Sequence, residues 1–394
     1  MTQQPFSKLG FVDKLLIVKP YLIVFFIPIL FTLLFGYVMG PVYVQGVPFA
    51  IYDMDNSETS RSVVDSFYDC PTFKITQDYE TTDQLEEALL QSDIYGAVII
   101  PEGFGNDIQN KRGAEATVLV DGTNFQISNN LQQFATTIFT MAGASIQMKY
   151  LEAGEMTPKQ ASDSVLSLNI VSRNVYNPGL GYIYYLMPGL LGIFIQQSYL
   201  AVAPNAVIET KRSIRKMLML SDTEKIRGSV ASLTEQLLAF AGLSTISYLL
   251  SILILHYSYG FPLNGSLGLI LLLQFVFIID IAAMSIVIGT IFEMGVHVVQ
   301  FTMFLTVPSI LTCGFGWPEF MMTKLFAVIV KSVWPLYYYV IPLRNLLLKD
   351  ADFSVIQSYI FGGIIFGAVW MVIGCFLFYN KVNMLRKLNI ALDD

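Results

Sequence analysis

Charge is scarce in this chain. Only 13% of its 394 residues are Asp, Glu, Lys or Arg, against roughly 25% in an ordinary soluble domain, while 54% are hydrophobic. That shortage excludes a plain water-soluble fold for most of the sequence. Histidine and cysteine are scarcer still, with two and three residues. His256 and His297 lie in or beside different apolar runs, and Cys70, Cys313 and Cys375 are scattered. Neither a metal-ligand spacing nor a disulfide framework results. The phosphate-cradling pattern Gly-x-x-x-x-Gly-Lys-Ser/Thr is missing, so ATP hydrolysis is not expected of this chain and no cofactor is expected in it. Paired acids or a Cys/His constellation at a membrane interface, which a membrane enzyme would need, are missing too. With a net charge of −7, no nucleic-acid partner is expected.

Long apolar runs are what the sequence has instead. About 18 to 20 apolar residues cross the hydrocarbon of a bilayer, and six runs qualify: Tyr21 to Met39, Tyr182 to Val202, Leu233 to Leu255, Leu267 to Phe292, Val298 to Phe315 and Ile360 to Tyr379. Lys8, Lys14 and Lys19 precede the first run. Lys211, Arg212, Arg215, Lys216, Lys225 and Arg227 follow the second, and Lys381, Arg386 and Lys387 follow the sixth. Basic residues near spans mark the cytoplasmic side, so both termini and the loop 207–228 are expected there. The first run has no convincing cleavage site after it and is expected to remain as an anchor.

Between the first two runs lies an acid-rich segment, with Asp53, Asp55, Glu58, Asp65, Asp69, Asp78, Glu80, Asp83, Glu86 and Glu87 in its first part. Its charge places it on the opposite side of the membrane. Val47 to Tyr52, Ala97 to Ile100 and Ala116 to Val120 read as strands ending in turn chemistry. Glu58 to Phe67 and Thr82 to Ser92 read as helices with Ser57 and Thr81 or Thr82 as N-caps, and 129–151 and 158–170 also read as helices. The expected fold class is an α-helical integral membrane protein of six transmembrane helices with an inserted extracytoplasmic α/β domain. Its parts are an amphipathic entry and first span in 1–40, the α/β domain in 41–181, and the remaining spans in 182–394. Met217 to Leu220 suggest a short helix along the membrane face within loop 207–228. Residues 318–350, apolar and broken by Pro335 and Pro342, read as re-entrant helices rather than a seventh span, which would put the basic tail outside.

A few residues stand out against this background. Asp280 sits among Phe277, Ile278, Ile279 and Ile281; an acid inside a span is either a candidate for the translocation path or a structural hydrogen-bonding group. Glu235 reads as an interfacial acid paired locally. Trp334, Tyr337, Tyr338, Tyr339 and Arg344 form either an outer gate or an interfacial anchor. Gly363 and Gly367 have the spacing that lets two helices approach closely.

Several fragments, in order along the six spans, carry a family resemblance. They are Asp53 to Arg61 (DMDNSETSR), Ile100 to Phe104 (IPEGF), Asp121 to Asn124 (DGTN), Tyr176 to Pro178 (YNP) and Met187 to Gly189 (MPG), followed by Cys313-Gly314, Trp317-Pro318, Trp334 to Tyr339 (WPLYYY) and Leu343-Arg344. Together they resemble the permease subunits of type-2 ABC transporters, in the exporter branch with a large external domain after the first helix. The resemblance implies export of hydrophobic or amphipathic compounds such as drugs or lipids across a bacterial inner membrane. It also implies a separate ABC ATP-binding subunit that binds ATP, a second permease copy or sister chain, and in some systems a periplasmic adaptor. The loop after the second span, usually like Glu-Arg-Glu-x-Gly-Thr in that family, here reads Glu209 to Ile214 (ETKRSI) and keeps only the first acid. Glu209, Lys211, Arg212, Arg215 and Lys216 are the residues expected to couple to the ATPase. Glycan export is the alternative cargo. A receptor with an external ligand-binding domain is the alternative class, and it expects a cytoplasmic signalling domain that the tail after Asn380 does not supply.

Overall fold

In the computed structural model, described residues are 11–40, 44–79, 81–110, 112–153, 175–177, 181–219, 224–314 and 316–393. The chain divides into two compact units, Pro41–Tyr182 and the remainder.

The inserted unit is built on a four-stranded sheet. Strands β1 (Val47–Asp53), β2 (Phe73–Asp78), β3 (Gly96–Ile100) and β4 (Thr117–Val120) alternate with helices α2 (Glu58–Tyr68), α3 (Thr82–Leu90), α4 (Phe104–Gln109) and α5 (Phe125–Ala153). The strand order is β2-β1-β3-β4. β1 runs parallel to β2 and β3, and β4 is antiparallel to β3. Side chains alternate between the faces of a strand, so β1 feeds two cores. Val47, Phe49 and Ile51 join Val63 and Phe67 of α2, Phe104 of α4 and Leu131 of α5 on one face. Ala50 and Ala97 meet Leu85 and Ala88 of α3 on the other. Ser57 and Thr81 cap α2 and α3, each accepting from a backbone amide in the first turn. Two elements are additional to the sequence reading, β2 and α4. Both are short, and β2 alternates apolar Phe73 and Ile75 with polar Lys74 and Thr76, as an edge strand does. The expected helix at 158–170 lies outside the described residues.

The second unit is helical: α1 (Phe11–Val38), α6 (Tyr182–Met219), α7 (Glu224–Tyr259), α8 (Leu267–Ile291), α9 (Gly295–Thr312), α10 (Lys324–Val333), α11 (Tyr337–Lys349) and α12 (Phe353–Asp393). Six of these helices, α1, α6, α7, α8, α9 and α12, are long and apolar enough to span a membrane, so the six-span reading is borne out. Helices α10 and α11 meet at 88°, a broken pair rather than one straight crossing. α6 and α8 are the most buried spans, while in α1, α7, α9 and α12 only a minority of the residues is buried. α8 packs mainly on α12, and α1 on α7.

One expectation is corrected by this architecture. The sequence suggests a short separate helix in the loop after the second span, but Met217 to Met219 belong to α6, which runs unbroken for 38 residues. At about 1.5 Å per residue it is about 57 Å long, far beyond the ~30 Å of hydrocarbon. The charged residues therefore sit on the continuing end of a membrane helix. Residues 220–223 lie outside the described set.

Candidate functional site

The basic end of α6 is tied to the turn between α8 and α9. A helix leaves its last carbonyls without partners, and those of α8 are met by a lysine. Lys211 Nζ donates to the carbonyls of Thr290 and Phe292, each at 2.8 Å, and lies 3.5 Å from Glu293 Oε1. Lys381 on α12 reaches the same carboxylate oxygen at 3.0 Å, and Arg212 Nη2 donates to the Glu293 carbonyl at 2.7 Å. A cation at a helix C-terminus also opposes the negative end of its dipole. Burial works to raise the Glu293 carboxyl, but Lys381 and Lys211 outweigh it and hold the group below its ordinary value. The node thus joins α6, α8, α9 and α12 in one charged knot.

Lys211, one of the residues expected to couple to the ATPase, lies inside this node, with its side chain only 3% exposed. Glu209, Arg212, Arg215 and Lys216 are exposed, though Arg212 is held by Glu293. Glu235 is exposed on α7.

The broken pair α10 and α11 is closed by its own aromatic residues. In hydrocarbon, backbone polar groups must be satisfied within the protein. The last carbonyls of α10 receive the Trp334 amide at Val330, the Tyr338 hydroxyl at Lys331 and the Trp370 indole N–H at Ser332. The Trp334 indole donates 2.7 Å to the Leu305 carbonyl of α9. Tyr339 donates 2.7 Å to Gln274 Oε1 of α8 and stacks on Phe277 at 4.1 Å. Glu319 accepts from Lys331 Nζ at 2.6 Å and from the Tyr337 hydroxyl. Those two hydrogen bonds, Lys331 first, hold its carboxyl below the ordinary range. Arg344 lies over the Tyr185 ring, 6.0 Å from its centre. Of the five residues read as gate or anchor, Trp334, Tyr337, Tyr338 and Tyr339 are parts of one hydrogen-bonded turn packed on α8, α9 and α12, while Arg344 rests on Tyr185 of α6.

Asp280 stands apart from both clusters. It is buried in α8, where neither carboxyl oxygen has a hydrogen-bond partner, and it faces Gly363 and Gly367 of α12. A polar contact missed in the sequence joins α6 to α9: Gln196 donates to Thr306 Oγ1 at 3.3 Å, and Thr306 donates to Gln197 Oε1 at 2.9 Å. The Gln-Gln pair inside an otherwise apolar span was the signal available.

In the inserted unit, the acidic fragments serve as joints. Asp55 accepts from the amides of Gly103 and Gly105, each at 2.9 Å, and ties the β1–α2 turn to the β3–α4 turn. The Ser57 hydroxyl, with those amides and against a burial cost, holds Asp55 below the ordinary carboxylate value. A side chain at Gly105 would collide with Ser57 and Asp55. Asp53 accepts from the Asp55 and Asn56 amides and the Ser60 hydroxyl. Asn124 accepts from the Ile127 amide and the Tyr182 hydroxyl.

Comparison with known proteins identifies this arrangement. The pattern described as "ABC-2 family transporter protein" matches residues 19–376, from within the first span, through the inserted unit, into the sixth span. The chain belongs to the ABC-2 transporter family. Among its relatives is the "Probable multidrug ABC transporter permease YbhR" of Escherichia coli (strain K12), 21% identical over 84% of this chain and 86% of the relative. The "Inner membrane transport permease YhhJ" of the same strain is 22% identical over 78% and 79%. "ABC transporter G family member 23" of Dictyostelium discoideum is 23% identical over 85% of this chain and 47% of its own length. This ABC-2 chain is a multi-pass membrane permease subunit, whose family membership implies a separate ATP-binding subunit and a partner permease.

Proposed function

We propose that this permease subunit carries hydrophobic or amphipathic compounds, drugs or lipids, out of the cytoplasm or the inner leaflet at the expense of ATP bound by its partner. The observation that carries the reading is the end of α6. A span that continues past the membrane with Glu209, Arg212, Arg215 and Lys216 exposed offers a charged handle to an ATPase. The buried Lys211 joins that handle to α8, and through Glu293 to α12. Motion at the handle is thereby delivered to the bundle.

The cargo class draws support from a cavity of about 880 Å³ between α7, α8 and α12, walled by Leu237, Thr245, Ile279, Ile286, Met371 and Phe378. Such a volume, apolar on nearly all sides, suits a drug-sized or acyl ligand. The printed name of the YbhR relative, a multidrug permease, points the same way. In this reading the α10–α11 turn, with Trp334, Tyr337, Tyr338, Tyr339 and Arg344, moves as a unit at the exit. Both termini are cytoplasmic, the inserted unit is external where an adaptor could meet it, and the membrane is the bacterial inner one. An impermeant reagent that modified Lys387 in sealed cells would overturn that orientation.

Purifying the tagged chain from its native membrane in mild detergent tests the reading. A stoichiometric ATPase subunit with ATP hydrolysis stimulated by lipophilic compounds is the expected result. A lone chain, under conditions that keep control complexes intact, would contradict it.

A further inference from the structure

Where α8 and α12 cross, the seam closes on an acid. Asp280 is 1% exposed, and no donor reaches either carboxyl oxygen. The face opposite is glycine. A methyl added at Gly363 would lie 3.3 Å from Oδ2 and 2.8 Å from Val276 Cγ1, and one at Gly367 would overlap Oδ1. The carboxyl group therefore rests on backbone C–H groups, contacts worth under about 1 kcal/mol each. An ionised carboxylate loses several kcal/mol on leaving water.

Among the described residues, the neighbouring helices bring no ion pair to this seam. α11 contributes Tyr338, which crowds Gly362, touches the Gly363 position through its Cβ and spends its hydroxyl on the Lys331 carbonyl. Further along α8, Tyr339 of α11 is bonded to Gln274, and Tyr248 of α7 packs edge-on to Tyr339. α12 presents Gly363 and Gly367, with the Phe366 ring tilted against Tyr338. The titratable groups beside Asp280 on the elements packed against it are thus phenols. Among the described residues, no Lys or Arg forms an ion pair with it.

We infer that Asp280 is a proton-binding site: it carries a proton while the α8–α12 seam is closed, as here, and gives it up to water when the seam parts during transport. The carboxyl O–H bond breaks, the proton passes to entering water, and the bond re-forms with a proton from solvent before reclosure. The sign follows from linkage. The closed form binds the extra proton, so closure is favoured at low pH and weakens about tenfold per unit as pH rises above the value at which the open, hydrated carboxyl ionises. The same seam forms one wall of the apolar cavity, since Ile279 lines it and touches the Gly367 position. Opening the seam would therefore change that wall. The inference rests on the exporter reading only for the event that opens the seam.

The test uses the complete complex in proteoliposomes, with ATP hydrolysis and movement of a fluorescent lipophilic dye followed across pH. The wild type is expected to show an alkaline limb that falls toward tenfold per unit, and Asp280→Asn, of the same size and permanently neutral, to lack it. Persistence of that limb in Asp280→Asn would overturn the inference. Treating the wild type with dicyclohexylcarbodiimide, which captures protonated carboxyls in apolar surroundings, needs no variant. An adduct mapped to Asp280 during ATP turnover, fading as pH rises, is expected; an unlabelled Asp280 at acid pH during turnover overturns the site. ATP hydrolysis by the untreated wild type with no dye moved at any pH would count against the exporter reading and leave the adduct as the test of the proton site.

Discussion

Two ionisable side chains are buried against α8, and their surroundings are opposite. At the end of the helix, Lys211 meets two carbonyls and a carboxylate. In its middle, Asp280 meets none of its needs. A buried charge with its partners in place is a structural bond whose loss is severe. A buried ionisable group without partners survives by becoming neutral, which ties its state to that of the seam around it. The difference separates a fixed ionic joint at the end of α8 from an unpartnered acid in its middle.

Breaking the first half of that comparison should have the largest effect. Lys211→Met leaves the α8 carbonyls without their cation and Glu293 with Lys381 alone, and about 3 kcal/mol of stability should be lost. The check is the thermal midpoint of the detergent-solubilised chain, with Lys211→Arg expected to recover much of it. Gly367→Ala attacks the other half by inserting a methyl where Asp280 Oδ1 sits. Overpacking of this kind costs about 1–3 kcal/mol, and the variant should also admit carbodiimide to Asp280 without ATP. A midpoint equal to wild type would show that the seam yields freely.

Smaller effects are expected outside the bundle. Ser57→Ala removes the cap of α2 and should cost about 1 kcal/mol, read as earlier proteolysis of the inserted unit. The paired reversal Arg215→Glu with Lys216→Glu, at exposed positions, should change stability by no more than about 0.5 kcal/mol while lowering transport per ATP hydrolysed. Acidification sharpens the contrast further. Asp55 and Glu319 both have depressed values in the folded chain. Their stabilising contribution is therefore complete above the ordinary carboxylate range near 4 and is lost as pH falls through the lower folded values. The described contacts of Asp55 and Glu319 should persist at pH 5 and fail well below 4, as hydrogen exchange at Gly103 and Gly105 would report for Asp55.

Much of this was legible in the sequence because the bilayer imposes a length. Six runs of sufficient apolar residues can be read directly, and strands such as Val47 to Tyr52 announce themselves by composition. What stayed hidden were relations between distant residues. Lys211 looks like any other member of its basic stretch until Thr290, Phe292 and Glu293 are brought to it. Asp280 and the Gly363 and Gly367 pair were each conspicuous, but nothing local says that one closes on the other. The continuity of α6 was obscured because its charged end resembles a loop in composition. Short polar elements such as β2 and α4 draw their stability from the sheet and core around them, and a local pattern carries little of that.

The most direct test of coupling through α6 is to measure ATP hydrolysis and cargo movement together in vesicles containing the purified complex. The account predicts that reversing Arg215 and Lys216 leaves the complex folded and in the membrane while transport per ATP falls several-fold. Unchanged transport per ATP in that variant would contradict it.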